Sequence, residues 1–163
     1  MAEISDPGTA PGLRWGILGA GSIARKFTEA VGLYTRSEVV AIGSRDRSKA
    51  ERFAAANGIP QGSEGYKALV DDPNINAIYI ATPHFMHREH ALMALAAGKP
   101  VLIEKPFARN EEEARHVVNA ARSAHIFAME AMWTRFMPHM VALRGVLARG
   151  ELGEIVHVHA DHG

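Results

Sequence analysis

Apolar residues in this chain arrive in two rhythms that alternate along its length. Short runs that are apolar almost throughout, Ala77-Ile78-Tyr79-Ile80-Ala81 most clearly, read as strands of a parallel sheet covered on both faces. Longer stretches with apolar residues at helical spacing follow them. The pattern predicts strands over residues 14–18, 39–44, 77–81, 101–103, 126–129 and 154–160. It predicts helices over residues 22–33, 47–57, 65–70, 87–97, 110–123 and 138–149. Asn57-Gly58 and Ala97-Gly98 supply helix stops. Asn110 followed by Glu113 has capping-box spacing, with Asn in the cap position. Strand, helix and strand joined by short links imply an α/β fold with a doubly wound parallel sheet.

The ends of the chain read differently. Residues 1–12 are acidic, carry Pro and Gly, and lack an apolar stretch, so they are expected to be a flexible tail and no signal peptide. Residues 13–150 form the α/β domain. Gly150-Glu151-Leu152-Gly153 is a turn, and residues 154–160 are expected to open a second domain with one more strand. No helix follows to cover that strand. A shortened chain or a partner supplied in trans would account for this, and the uncovered apolar faces predict self-association.

Composition narrows the chemistry. The 163 residues carry 18 Lys plus Arg against 18 Asp plus Glu, so no basic field exists to hold nucleic acid by its phosphates. No apolar run approaches the roughly 20 residues of a membrane span. The absence of cysteine removes disulfides, thiolate catalysis and zinc–sulfur sites, and favours a cytoplasmic setting. His84, His87 and His90 recur at every third position, but Pro83 sets His84 outside the helix and the three do not share one face. No metal site is expected.

In open α/β sheets ligands bind beyond the carboxyl ends of the strands. After the first strand comes Gly19-Ala20-Gly21-Ser22-Ile23-Ala24. Gly19 permits a tight turn, Gly21 leaves room for a pyrophosphate against the backbone, and Ala24 lets the helix lie close to the strand. A glycine-rich first turn also serves other nucleotides, and an ordinary strand-to-helix turn has the same form. After the second strand comes Ser44-Arg45-Asp46. A hydroxyl beside a guanidinium suits the 2′-phosphate of NADP, whereas a carboxylate there would suit the free 2′-hydroxyl of NAD. Asp46 keeps NAD open, and Arg45 and Lys49 are alternatively solvated loop charges. Thr82-Pro83-His84, Glu104-Lys105-Pro106 and Glu130 stand at the next strand ends. Lys105 is the candidate catalytic group, its ammonium able to donate to a substrate oxygen while hydride passes to or from a nicotinamide. His87 is read as a polar group lining the cleft. Trp133 and Arg135 either line the nicotinamide pocket or belong to core and surface.

Taken in order, Gly16 to Ala24, Ser44-Arg45-Asp46, Ala81-Thr82-Pro83-His84 with His87, and Ala97-Gly98-Lys99-Pro100-Val101-Leu102-Ile103-Glu104-Lys105-Pro106 resemble the Gfo/Idh/MocA family, within it most closely the dimeric dihydrodiol dehydrogenase branch through Met129 to Phe136. The resemblance runs over residues 13–163. It implies a Rossmann domain and an NAD(P)-dependent oxidoreductase acting on a sugar, polyol or cyclic diol. Lys105 falls on the family's lysine. Gly19 to Ala24 fall on its phosphate loop, and Ser44 and Arg45 on its 2′-phosphate contacts. Thr82, Pro83, His87 and Glu104 match positions lining the nicotinamide side. The family's second domain supplies a His or Tyr acid/base and most of the substrate pocket. Only its first strand is expected here, so a non-catalytic NADP(H)-binding module is the alternative reading.

Overall fold

The computed structural model describes residues 6–161. Strands β1 (Arg14–Leu18), β2 (Glu38–Ser44), β3 (Gln61–Glu64), β4 (Ala77–Ile80), β5 (Val101–Ile103) and β6 (Ala128–Glu130) form one sheet in the order β3-β2-β1-β4-β5-β6. Every neighbouring pair is parallel. Helices α1 (Ser22–Tyr34), α2 (Arg47–Ala56), α3 (Lys67–Asp71), α4 (His87–Ala96) and α5 (Glu111–Ala124) connect successive strands. This is the doubly wound Rossmann arrangement. Its strand order reverses between β1 and β4, and that reversal creates a crevice at their carboxyl ends.

Strand alternation sorts the core into two apolar layers. Leu18, Ile78 and Ile80 face a cluster containing Leu69 and Val70 of α3, Ala91 and Leu95 of α4, and Val117 of α5. Ile17, Ile42 and Tyr79 face the opposite cluster, with Ala24 and Val31 of α1 and Ala54 of α2. All four residues of β4 are buried, which explains why its sequence is apolar at successive positions rather than at alternate ones.

The sheet departs from the sequence expectation in three places. β3 has no counterpart among the predicted strands. It is a polar edge strand, Gln-Gly-Ser-Glu, held by pairing with β2, and carries no apolar period to read. β6 begins later than expected. His125 takes the left-handed conformation at φ 56° to end α5, and the Ile126 N–H closes back on the Ala121 carbonyl at 2.9 Å. Ile126 thereby terminates a helix instead of starting a strand. The expected strand over residues 154–160 is not formed: this segment has no regular structure, and Val156 is 90% exposed. A strand needs a neighbour for its backbone groups, and no pairing reaches this segment among the described residues.

Asp6–Ala131 forms one compact unit and residues 132–161 form another. Within the first, a short 3-10 turn at Pro7–Thr9 precedes the sheet. The Arg36 guanidinium donates to the Thr9 and Ala10 carbonyls at 2.6 and 3.1 Å, fastening a stretch that reads from sequence as tail. The second unit contains a 3-10 turn at Trp133–Phe136 and helix α6 (Pro138–Ala148).

Asn110 caps α5 by accepting the Glu113 N–H at 2.9 Å. Glu113 does not complete the capping box on Asn110. Its carboxylate accepts instead from the Arg109 N–H and guanidinium, one residue earlier. Asn110→Ala is expected to lower unfolding free energy by about 1 kcal/mol, measured by chemical denaturation.

Candidate functional site

The site begins where β1 runs into Gly19. This residue has φ +104°, and a β-carbon there would lie 2.8 Å from the Ala81 carbonyl oxygen, so the two central strands approach more closely than a side chain allows. The Gly19 N–H donates to the Gly43 carbonyl at 2.8 Å, which draws the end of β2 alongside. Gly21 is the cap of α1 and contributes no side-chain hydrogen bond, and a β-carbon on it would meet nothing within 4 Å. The amides of Ser22, Ile23 and Ala24 open the helix next to that free space. Their unpaired N–H groups and the helix dipole suit an anion approaching the backbone. These residues fit the pyrophosphate of a dinucleotide. Ala20 and Ala24 are buried beneath the turn.

At the end of β2, Ser44 is buried and its Oγ accepts the Asp46 N–H at 3.2 Å, while Arg45 is exposed. Asp46 caps α2. Its Oδ1 accepts from the Lys49 N–H at 3.1 Å and from the Ser48 hydroxyl at 2.9 Å. These bonds, the Lys49 amide first, hold its carboxyl below the ordinary range. The carboxylate that kept a ribose contact open in the sequence is therefore engaged at one oxygen in starting a helix.

The ends of β4, β5 and β6 are bound into one polar network. His87 is fully buried and places Nε2 2.9 Å from the Thr82 carbonyl and Nδ1 2.9 Å from the Pro106 carbonyl. Carbonyl oxygens only accept, so a ring N–H donates to one or the other according to the tautomer. The Thr82 hydroxyl lies 2.9 Å from His90 Nδ1. Pro83 starts the 3-10 turn His84–Met86 that leads into α4. Lys105, with an exposed side chain, precedes a cis peptide bond to Pro106. Glu104 Oε2 accepts the Lys105 N–H at 3.2 Å, and Glu130 Oε1 accepts the Phe107 N–H at 2.8 Å. The backbone on both sides of the Lys105–Pro106 bond is thus gripped by side chains from β4–α4, β5 and β6.

Of the residues singled out in the sequence, Gly19 to Ala24, Ser44, Arg45, Thr82, Pro83, His87, Glu104, Lys105 and Glu130 lie at this one edge of the sheet in the first unit. Trp133 and Arg135 lie in the second unit, on an exposed turn. His84 is exposed, whereas His87 and His90 are buried among hydrogen-bond partners, and no group of three or more potential metal ligands occurs among the described residues. Sequence reading gave Tyr79 no role beyond its strand and weighed His90 only as a metal ligand, and both belong to the network. Tyr79 sits among aliphatic residues of β4, and its hydroxyl donates to Glu104 Oε1 at 2.5 Å. His90 sits on the buried face of α4 against the Tyr66 ring, with ring centroids 4.4 Å apart. A tyrosine inside an otherwise aliphatic strand was the available signal.

The family described as "Oxidoreductase family, NAD-binding Rossmann fold", Gfo/Idh/MocA, matches residues 13–131. The chain belongs to the Gfo/Idh/MocA family. Among curated relatives, the trans-1,2-dihydrobenzene-1,2-diol dehydrogenase of Sus scrofa is 48% identical over 153 residues, covering 93% of this chain and 46% of the relative. The chain therefore spans about half the length of the dehydrogenases it matches. Among solved structures, an NAD binding oxidoreductase from Klebsiella pneumoniae superposes with TM-score 0.83 at 32% identity, covering 88% of this chain and 40% of that one. A 3-ketoreductase from Actinomadura kijaniata in complex with NADP superposes with TM-score 0.78 at 32% identity, covering 89% and 46%. The Gfo/Idh/MocA chain described here thus carries the NAD(P)-binding half of an oxidoreductase fold. No helix among its described residues is long and apolar enough to cross a membrane.

Burial pushes the His90 imidazole below its ordinary value of 6.5. Between the folded and unfolded values the unfolded chain binds a proton that the folded chain does not, so stability is lost as pH falls below the unfolded value. Denaturation midpoints measured from about pH 7 to about pH 5 are expected to fall more steeply for the wild type than for His90→Gln.

Proposed function

We propose that this chain binds NADP(H) and serves hydride transfer between that cofactor and a hydroxyl or carbonyl of a sugar, polyol or cyclic diol. The observation that carries the reading is the open, uncapped start of α1 at the β1–β4 crevice, with Arg45 at the neighbouring strand end and Lys105 two strands away. The amides of Ser22 to Ala24 receive the pyrophosphate. Ser44 and Arg45 receive the 2′-phosphate, a charge-assisted contact. Thr82, Pro83, His87, Glu104 and Glu130 border the nicotinamide end. The cofactor, when bound, gives or takes the hydride. The Lys105 ammonium donates to the substrate oxygen, stabilises alkoxide character, and holds the proton that joins or leaves that oxygen. The relatives' names, dehydrogenase and ketoreductase, support the reaction class, and the diol in one of them supports the substrate class. A cytoplasmic setting belongs to this reading, supported by the absence of cysteine.

An assay for NADP-dependent oxidation of polyols and cyclic diols tests the proposed reaction.

Fluorescence titration is expected to show NADPH bound more tightly than NADH. Arg45→Ala should weaken NADPH by roughly tenfold or more and leave NADH nearly unchanged, because a charge-assisted pair is worth about 1.5–3 kcal/mol. Equal NADPH affinity in the variant overturns the choice of NADP. Lys105→Met is expected to reduce turnover by roughly a hundredfold or more while NADPH still binds.

A further inference from the structure

Tyr79 occupies a place where a hydroxyl is costly. It lies in the middle of the sheet on β4, is 2% exposed, and is flanked by Ile78 and Ile80. Its ring stacks on Phe27 of α1 at a centroid separation of 3.9 Å and an interplanar angle of 18°. Phe27 in turn meets the edge of Trp15 on β1 at 5.2 Å. Phenylalanine would satisfy all of this packing. The hydroxyl adds one thing only: a hydrogen bond to Glu104 Oε1 at 2.5 Å. The other carboxylate oxygen of Glu104 accepts the Lys105 N–H at 3.2 Å. Burial, reinforced by that carboxylate, pushes the Tyr79 phenol well above its ordinary range, so it remains a donor.

A column therefore runs from the helix that follows the glycine turn, through Phe27 and Tyr79, to Glu104 and the backbone of Lys105. We propose that Tyr79 is a positioning residue of the nicotinamide end of the site, acting by anchoring the Glu104 carboxylate against the Lys105 backbone. This rests on the cofactor reading above. With the hydroxyl gone, Glu104 keeps a single weak tether and is free to swing on an edge that the cofactor ring must share. The adenosine end, held by Ser44, Arg45 and the α1 amides, has no part in the column's polar terminus.

The full chain is titrated with NADPH and with 2′,5′-ADP, which carries the adenosine and 2′-phosphate but no nicotinamide. Wild type, Tyr79→Phe, Glu104→Ala and the double variant are compared, with melting curves to verify folding. Tyr79→Phe is expected to weaken NADPH by roughly three- to tenfold while 2′,5′-ADP changes by less than about twofold. The double variant is expected to bind NADPH no more weakly than Glu104→Ala alone, since the hydroxyl acts only through that carboxylate. Unchanged NADPH affinity in Tyr79→Phe, equal weakening of both ligands, or losses that add in the double variant overturn the proposal while leaving the cofactor reading intact. Wild type that binds neither ligand overturns the cofactor reading and this inference with it.

Discussion

The Ala81 carbonyl oxygen stands 2.8 Å from where a β-carbon of Gly19 would be, and the organisation of the site follows from that approach. Only a residue without a side chain, at a φ of +104°, lets the chain leave β1 and turn across the mouth of β4. The turn delivers the start of α1 to the point where strand order reverses, and an α/β sheet is open to a ligand there. Had β1 and β4 not been neighbours, the glycine turn would have been an ordinary connection.

The second half of the sheet uses a different device. Its strand ends are tied by side chains reaching backbone groups: His87 to Thr82 and Pro106, Glu104 to Lys105, Glu130 to Phe107. Of these bonds the His87–Thr82 contact is buried, and an unmatched polar atom there would be costly. Among the described residues no buried side-chain nitrogen or oxygen lacks a partner. The network gives the Lys105–Pro106 segment a fixed place although Lys105 itself is exposed. Apolar packing on the two faces supports the network from beneath, and Tyr79 belongs to both, with its ring in one apolar layer and its hydroxyl on Glu104.

The central strands were legible because their chemistry is local. A buried parallel strand must be apolar on both faces, so β1, β2, β4 and β5 announce themselves within a residue or two. The glycine turn, Ser44-Arg45 and Glu104-Lys105-Pro106 could be placed at strand ends for the same reason. β3 could not be found this way: a polar edge strand exists by virtue of its neighbour's hydrogen bonds. Residues 154–160 are the converse, a strand-like pattern with nothing paired to it among the described residues.

The residue order by itself determined the fold class, the family resemblance and which side chains stand at the carboxyl ends of the strands. Those features depend on hydrophobic period and on backbone freedom at single residues, both of which act over short distances. Only the tertiary structure decided that Asp46 is occupied with a helix cap, that His87 joins two strand ends, and that Tyr79 reaches Glu104 at the end of the neighbouring strand. The physical reason is that a polar side chain's partner is chosen by whatever the folded sheet brings within 3 Å or so of it, and a linear pattern holds no record of that distance.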